Sequence, residues 1–296
     1  MSAPGAPLSS VRFSLVGPGR VGRSLAAWLR AAGARCVAVG ARDPGRAADA
    51  AAALGARAVP VGELSSVGED LLLLTVTDGA IAQLATLLAG RPQAAVALHA
   101  AGAYGAELLA PLRGAGAAVG ALHPLLPFPR PLPVERARDA VFALDGDPPA
   151  LDLGRRLAAA WGARAVAVPA PARLLYHGAA TLAAAGVLTL CAAADEVAAS
   201  QGLDPAVGRG YLRLAAGAVE AALVGAGAGA AITGPVARGD VDLVCRQLDG
   251  LAAIRPELAD LVARLGLETL SQLARAGRSS PAQDVLRAAL EARLGV

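Results

Sequence analysis

Three glycines and three histidines are the residues of this chain whose types and places could do chemistry. Gly17, Gly19 and Gly22 follow the apolar run at residues 11–16 in the spacing G-x-G-x-x-G. Val21, Leu25, Trp28 and Leu29 then fall on one helical face. Strand, glycine turn and helix in that order form a dinucleotide-binding fingerprint. Gly17 permits the tight turn, Gly19 lets a pyrophosphate approach the backbone, and Gly22 lets the helix pack close to the strand. The first helical N–H groups then face the phosphates. Gly17, Pro18, Gly19, Arg20, Val21 and Gly22 are the expected cofactor-binding residues.

The next strand pattern, residues 36–39, ends at Gly40, followed by Arg42, Asp43 and Arg46. NAD-specific folds place an acidic residue at this strand end to bond the ribose hydroxyls. Gly40 stands there instead, and Arg42 could grip a 2′-phosphate in bidentate fashion. Arg46 would lie one turn into the next helix. The expected cofactor is therefore NADP(H). Residues 71–76 read as a central parallel strand, with Asp78 as N-cap of the helix after it. In a doubly wound sheet this strand and the first flank the switch point, which places Val76 and Thr77 beside the cofactor.

His99 and His123 end two consecutive strand patterns, on the side where open α/β sheets bind ligands. His177, preceded by Tyr176, lies one turn into a long helix. The three are expected to converge on one cleft. Imidazole titrates near neutrality and suits proton donation. His123 is expected to bind or polarise the substrate, His99 to border the nicotinamide and substrate, and His177 to offer a proton from the helical side. The chain has no Lys, so all 27 basic residues are Arg and no lysine acid or Schiff base can form.

The elements that must position these groups follow a βα alternation up to residue 168, which predicts a doubly wound, mainly parallel Rossmann sheet. Residues 168–171 read as a linker. From residue 172 to 296 only helical patterns occur. The expected domains are thus 1–168, binding the dinucleotide, and 172–296, all-helical, for substrate and dimerisation. Residues 173–200 read as one helix, apolar around much of its circumference. A buried core helix of a homodimer accounts for it better than a membrane span. The start of the chain lacks a secretory pattern, so a cytoplasmic protein is expected. A net charge of +3 with scattered Arg gives no sign of nucleic-acid binding. Cys36, Cys191 and Cys245 are far apart; they read as buried small residues, and no metal site is suggested.

The motifs GPGRVG, TVTDGAI, LHAAGAYGAELLAPL, GALHPLLPF, LYHGAA and ITGPVARGD occur in that order. Together they resemble a bacterial family that pairs an NADP-type Rossmann domain with a helical domain of unknown function. That family is distantly related to 6-phosphogluconate and β-hydroxyacid dehydrogenases, and some members are alternative ketopantoate reductases. The His123-Pro124-Leu125 element is also similar to the HPM element of prephenate dehydrogenases. The chain departs from the family at Ala101, where Ser is usual, and at Ala185, where many members carry Asn. The helix Lys of β-hydroxyacid dehydrogenases is absent. The resemblance implies an NADP(H)-dependent oxidoreductase reducing a small carbonyl compound of 2-keto acid type, ketopantoate being one. A non-catalytic NADP(H)-binding sensor and an imine reductase are the alternatives. Arg238 and Asp240 of GPVARGD are possible further contacts.

Overall fold

A computed structural model describes residues 8–66, 68–225 and 227–296. The expected absence of a secretory leader concerns residues 1–7, which lie outside them. Eight strands form one sheet: β1 (Arg12–Val16), β2 (Arg35–Ala41), β3 (Arg57–Pro60), β4 (Leu71–Leu74), β5 (Val96–His99), β6 (Ala118–Pro124), β7 (Val141–Gly146) and β8 (Arg164–Ala167). Their spatial order is β3-β2-β1-β4-β5-β6-β7-β8. All neighbours are parallel except β6 and β7. The order reverses between β1 and β4, so the switch point falls where the sequence places it.

Alternate strand residues feed two cores, as strands covered on both faces require. Leu71 and Leu73 pack with Phe13, Trp28 and Leu157, beneath α1 (Arg20–Ala31), α2 (Pro44–Leu54) and, beyond them in the chain, the helix at Pro148–Ala160. Leu72 and Leu74 pack with Ile81, Leu88 and Leu112, beneath α3 (Asp78–Ala89) and α4 (Ala110–Gly114). The Pro148–Ala160 helix is α5. The sheet is thus wound on both faces. Thr77, not Asp78, is the N-cap of α3, and its side chain makes no capping bond. Asp78 instead sits in the first turn, where its charge favours the helix dipole.

The apolar stretch expected as one buried helix differs in two ways. It comprises α6 (Ala170–Thr181), a π-helical turn at Leu182–Gly186, and α7 (Val187–Ser200). The stretch Ala170–Ser200 is long and apolar enough to cross a membrane, with mean hydropathy 1.6, yet only 6% of its apolar window is buried. One copy of the chain does not supply the cover that its composition calls for. α6 also takes in Pro171, in the first turn where proline is tolerated.

The chain divides into two compact units, residues 1–183 and 184–296. α6 therefore belongs with the sheet. The second unit holds α7, α8 (Ala206–Val224), α9 (Ala228–Ala231), α10 (Pro235–Arg238), α11 (Val241–Ile254), α12 (Pro256–Arg275) and α13 (Pro281–Leu294). Its core joins Val244, Leu248, Ala263, Leu270, Leu273, Leu286 and Leu290 from α11, α12 and α13. Ser280 and Gln283 form a capping box that starts α13. Of the cysteines only Cys36 is buried, and burial pushes its thiol up to about 12; Cys191 and Cys245 are half-exposed.

Candidate active site

The glycine turn is built as its residue types require. Gly17 has φ +88° and its N–H donates to the Gly40 carbonyl at 3.0 Å. Any Cβ on Gly22 would collide with Thr75 Oγ1 and the Gly17 carbonyl. Thr75 is part of the turn, because its hydroxyl donates to the Gly17 carbonyl at 2.6 Å. A Cβ on Gly19, by contrast, would meet nothing within 4 Å. That is open room directly above a helix start with no side-chain cap and no acidic first-turn residue. Such an arrangement leaves N–H donors and a positive dipole end for an anion.

β2 ends one residue before Arg42, and Arg42 and Arg46 are both exposed there. Asp43 is the acidic residue at this edge, and its Oδ1 already accepts from the amides of Gly45 and Arg46 as N-cap of α2. The residues present fit a phosphorylated dinucleotide. The backbone cradle suits the pyrophosphate, and the exposed Arg42 and Arg46 follow the end of β2. Val76 is half-buried and Thr77 exposed beside the turn. The proline-dense segment after His123 is clasped to α1. Trp28 Nε1 donates to the Leu132 carbonyl at 2.8 Å, Ser24 Oγ accepts from the Leu132 amide at 2.9 Å, and Arg20 reaches the Pro129 carbonyl at 3.3 Å.

The histidines lie on the same unit and have unlike surroundings. β5 and β6 pair with His99 opposite Ala121, so His123 stands two residues further along the sheet edge. His99 is fully buried. Its Nδ1 accepts from the Ala101 amide at 3.1 Å, so its proton resides on Nε2, which donates to the Gly105 carbonyl at 2.8 Å. Both ring nitrogens are thus committed to the loop that follows β5. Burial, reinforced by the nearby Arg173 charge, lowers its pKa below the ordinary value, although the Gly105 bond opposes this.

His123 is half-buried and its Nδ1 lies 2.8 Å from the Tyr176 hydroxyl. Its ring meets those of Tyr176 and His177 edge-on, with centroids 5.6 and 5.8 Å away. Burial first, then coulombic interaction with His177, Arg173 and His99, lowers its pKa to about 4. His123 is therefore neutral at pH 7. Gly102 lies against both His123 and His177, where a Cβ could not fit.

Sequence reasoning passed over Arg173, which is fully buried at the start of α6. Its guanidinium donates to the carbonyls of Val168 at 3.2 Å, Ala101 at 3.3 Å, Gly102 at 3.4 Å and Ala143 at 3.1 Å. Among the described residues no carboxylate forms an ion pair with it. Burial lowers its pKa, while Asp145 opposes that. The loop after β5 gains two more ties, from the Gly105 amide to Glu107 and from the Ala106 amide to Asp145, both at 2.9 Å. Arg173, Tyr176 and His177 are spaced i, i+3, i+4, which places them on one face of α6. That spacing was the available signal. Arg238 and Asp240 lie in the second unit, at the end of α10 and at the N-cap of α11, and no ion pair joins them among the described residues.

Fold and turn together define a Rossmann-like protein: residues 6–124 match the Rossmann-like domain. Residues 140–269 match DUF2520, a domain of unknown function, and the chain is one that joins these two domains. The DUF2520 match starts just before β7 and takes in Arg173, Tyr176 and His177. No curated protein matches the sequence. Solved structures share the fold. A proposed NADP oxidoreductase from Bacteroides fragilis superposes with a TM-score of 0.70 at 21% identity, over 88% of this chain and 98% of that one. A protein from Thermotoga maritima gives 0.71 at 24%, over 90% and 100%. A reductive aminase from Aspergillus terreus, in complex with NADPH and ethyl-5-oxohexanoate, gives 0.59 at 16%, over 96% and 94%.

Proposed function

We propose that this protein is an NADP(H)-dependent reductase of small carbonyl compounds, 2-keto acids such as ketopantoate foremost. The observation that carries the reading is the open cradle above Gly19, with exposed Arg42 and Arg46 at the β2 edge and Asp43 occupied as a helix cap. The names borne by the fold relatives support the same class. NADPH, when bound, supplies the hydride. The chain's own residues do the rest. Gly17 to Gly22 hold the pyrophosphate, with Val76 and Thr77 alongside. His123 and His177, set against Gly102, contact the substrate. His99 is a positioning residue that fixes the loop carrying Gly102. A reductive aminase shares the fold, so cyclic imines belong beside keto acids among candidate substrates.

The test begins with binding. Losing a bidentate charged contact costs about 1.5–3 kcal/mol, so Arg42→Ala should weaken NADPH roughly 10–100-fold and leave NADH almost unchanged. Equal affinity of the unmodified protein for the two cofactors would overturn the assignment. NADPH oxidation is then followed with 2-keto acids, aldehydes and cyclic imines. His123→Ala should lower kcat/KM at least about tenfold without changing NADPH affinity. NADPH binding with no turnover on any of these would favour the sensor reading.

The same reading includes a cytoplasmic homodimer. α7 and α8 enclose an open apolar groove of about 330 Å³ lined by Leu188, Cys191, Leu212, Val219 and Leu223. Leu188 and Leu223 are 61% and 80% exposed. A second copy of the chain is the proposed cover, in keeping with the burial such apolar surface requires.

A further inference from the structure

We propose that the Tyr176 hydroxyl delivers the proton to the substrate, with His123 as its hydrogen-bonded partner; this rests on the reductase reading above. The sequence directs attention to the imidazoles, but the geometry moves the task to the phenol. His99 is excluded, since both its nitrogens are bonded to the main chain. His123 stands near one cation, the Arg173 guanidinium, and two further imidazoles. Arg173 and His177 face it from α6 and His99 from β5, with Asp145 on β7 and Glu107 in the turn after β5 near the guanidinium. A ring so placed is not an imidazolium at pH 7, so it is not the cationic acid that would protonate the substrate directly. Tyr176 lies 2.8 Å from His123 Nδ1, is half-buried, and keeps its proton because burial raises its pKa. Arg173, three residues before it on the same helix face, stabilises the phenolate left after transfer.

As hydride reaches the carbonyl carbon, the C=O π pair moves onto oxygen. The Tyr176 O–H bond breaks and a new O–H bond forms on that oxygen. His123, with its proton on Nδ1, returns that proton to the phenolate, its Nε2 takes one from solvent, and solvent exchange then restores the Nδ1–H tautomer for the next turnover. The ring thus relays a proton without resting in the charged form.

The experiment compares the full-length protein with Tyr176→Phe and His123→Gln by NADPH oxidation from about pH 5.5 to 9. A tyrosine donor predicts kcat/KM that is flat between about pH 6 and 8, and a loss of roughly 100-fold or more in Tyr176→Phe with NADPH affinity unchanged. A tenfold fall per pH unit beginning near 6.5 would identify a histidine acid and overturn the proposal. So would a Tyr176→Phe variant within about threefold of the unmodified protein. A second arm needs no turnover, so it separates this proposal from the reductase reading. Imidazole ¹⁵N resonances should show His123 neutral at about pH 5.5, with its Nδ1 resonance moved in Tyr176→Phe. A charged ring at that pH, or an unmoved Nδ1, overturns the pairing even if no substrate is found. This arm uses the unmodified protein first, so it stands if a variant fails to fold.

Discussion

Nη1 of Arg173 donates to the carbonyl of Ala101 at 3.3 Å, joining the first turns of α6 to a loop 72 residues earlier. The same guanidinium also serves Val168, Gly102 and Ala143. Arg173→Met would leave these buried carbonyls without donors, at about 1–3 kcal/mol for each one that water cannot reach. Urea unfolding at pH 7 should show a loss of at least ~2 kcal/mol. Arg173→Lys should not restore it, because one ammonium lacks the planar fork that spans four acceptors.

Gly19 and Gly22 should fail differently when changed to Ala. The Gly22 Cβ would strike Thr75 and the Gly17 carbonyl, both part of the turn itself. Overpacking of this kind costs about 1–3 kcal/mol, so Gly22→Ala should lower the thermal midpoint. The Gly19 Cβ meets no protein atom, so Gly19→Ala should melt normally yet bind NADPH at least about tenfold more weakly. Calorimetry paired with a binding titration separates the two outcomes.

His123 makes stability depend on pH with a definite sign. Its folded pKa, about 4, lies below the ordinary 6.5. Below pH 6.5 the unfolded chain therefore binds the proton that the native protein refuses. Stability is complete above 6.5 and declines as pH falls toward 4, by about 1.4 kcal/mol per unit for this ring. His99, whose pKa is also lowered, acts in the same direction. Unfolding free energies at about pH 7 and 5.5 should differ less in His123→Gln than in the unmodified protein. An equal difference would mean that the ring is charged in the fold.

The apolar groove between α7 and α8 predicts a mass in light scattering of twice the 29.2 kDa chain. Leu223→Arg places a charge on that surface, and a charge is costly to bury unpaired. It should yield the single-chain mass with the helical content unchanged. A monomeric unmodified protein at micromolar concentration would refute the dimer.

The sheet was legible because its signals are local. Glycine spacing, apolar runs such as 71–74 and the alternation of strand with helix each declare an element within a few residues. The positions of His99 and His123 at strand ends followed from the same pattern. Their difference did not, because a ring's burial and partners depend on how the following loop folds back on it. Arg173 was hidden for a related reason. In a chain where every basic residue is Arg, nothing in its type separates a buried guanidinium from a solvated one. What covers α6 and α7 was not legible, because apolar composition records that a surface needs cover, and not which molecule provides it.

The loop from Ala101 to Gly105 is fastened through main-chain atoms, by His99, Arg173 and Glu107, with Asp145 holding the next amide. None of these bonds uses the side chains of Ala103 or Tyr104, and Tyr104 is 44% exposed. A lineage carrying this architecture can therefore exchange those two residues while the loop's shape persists. Change at positions 103 and 104 is thereby uncoupled from the anchors that hold the inheritance constant.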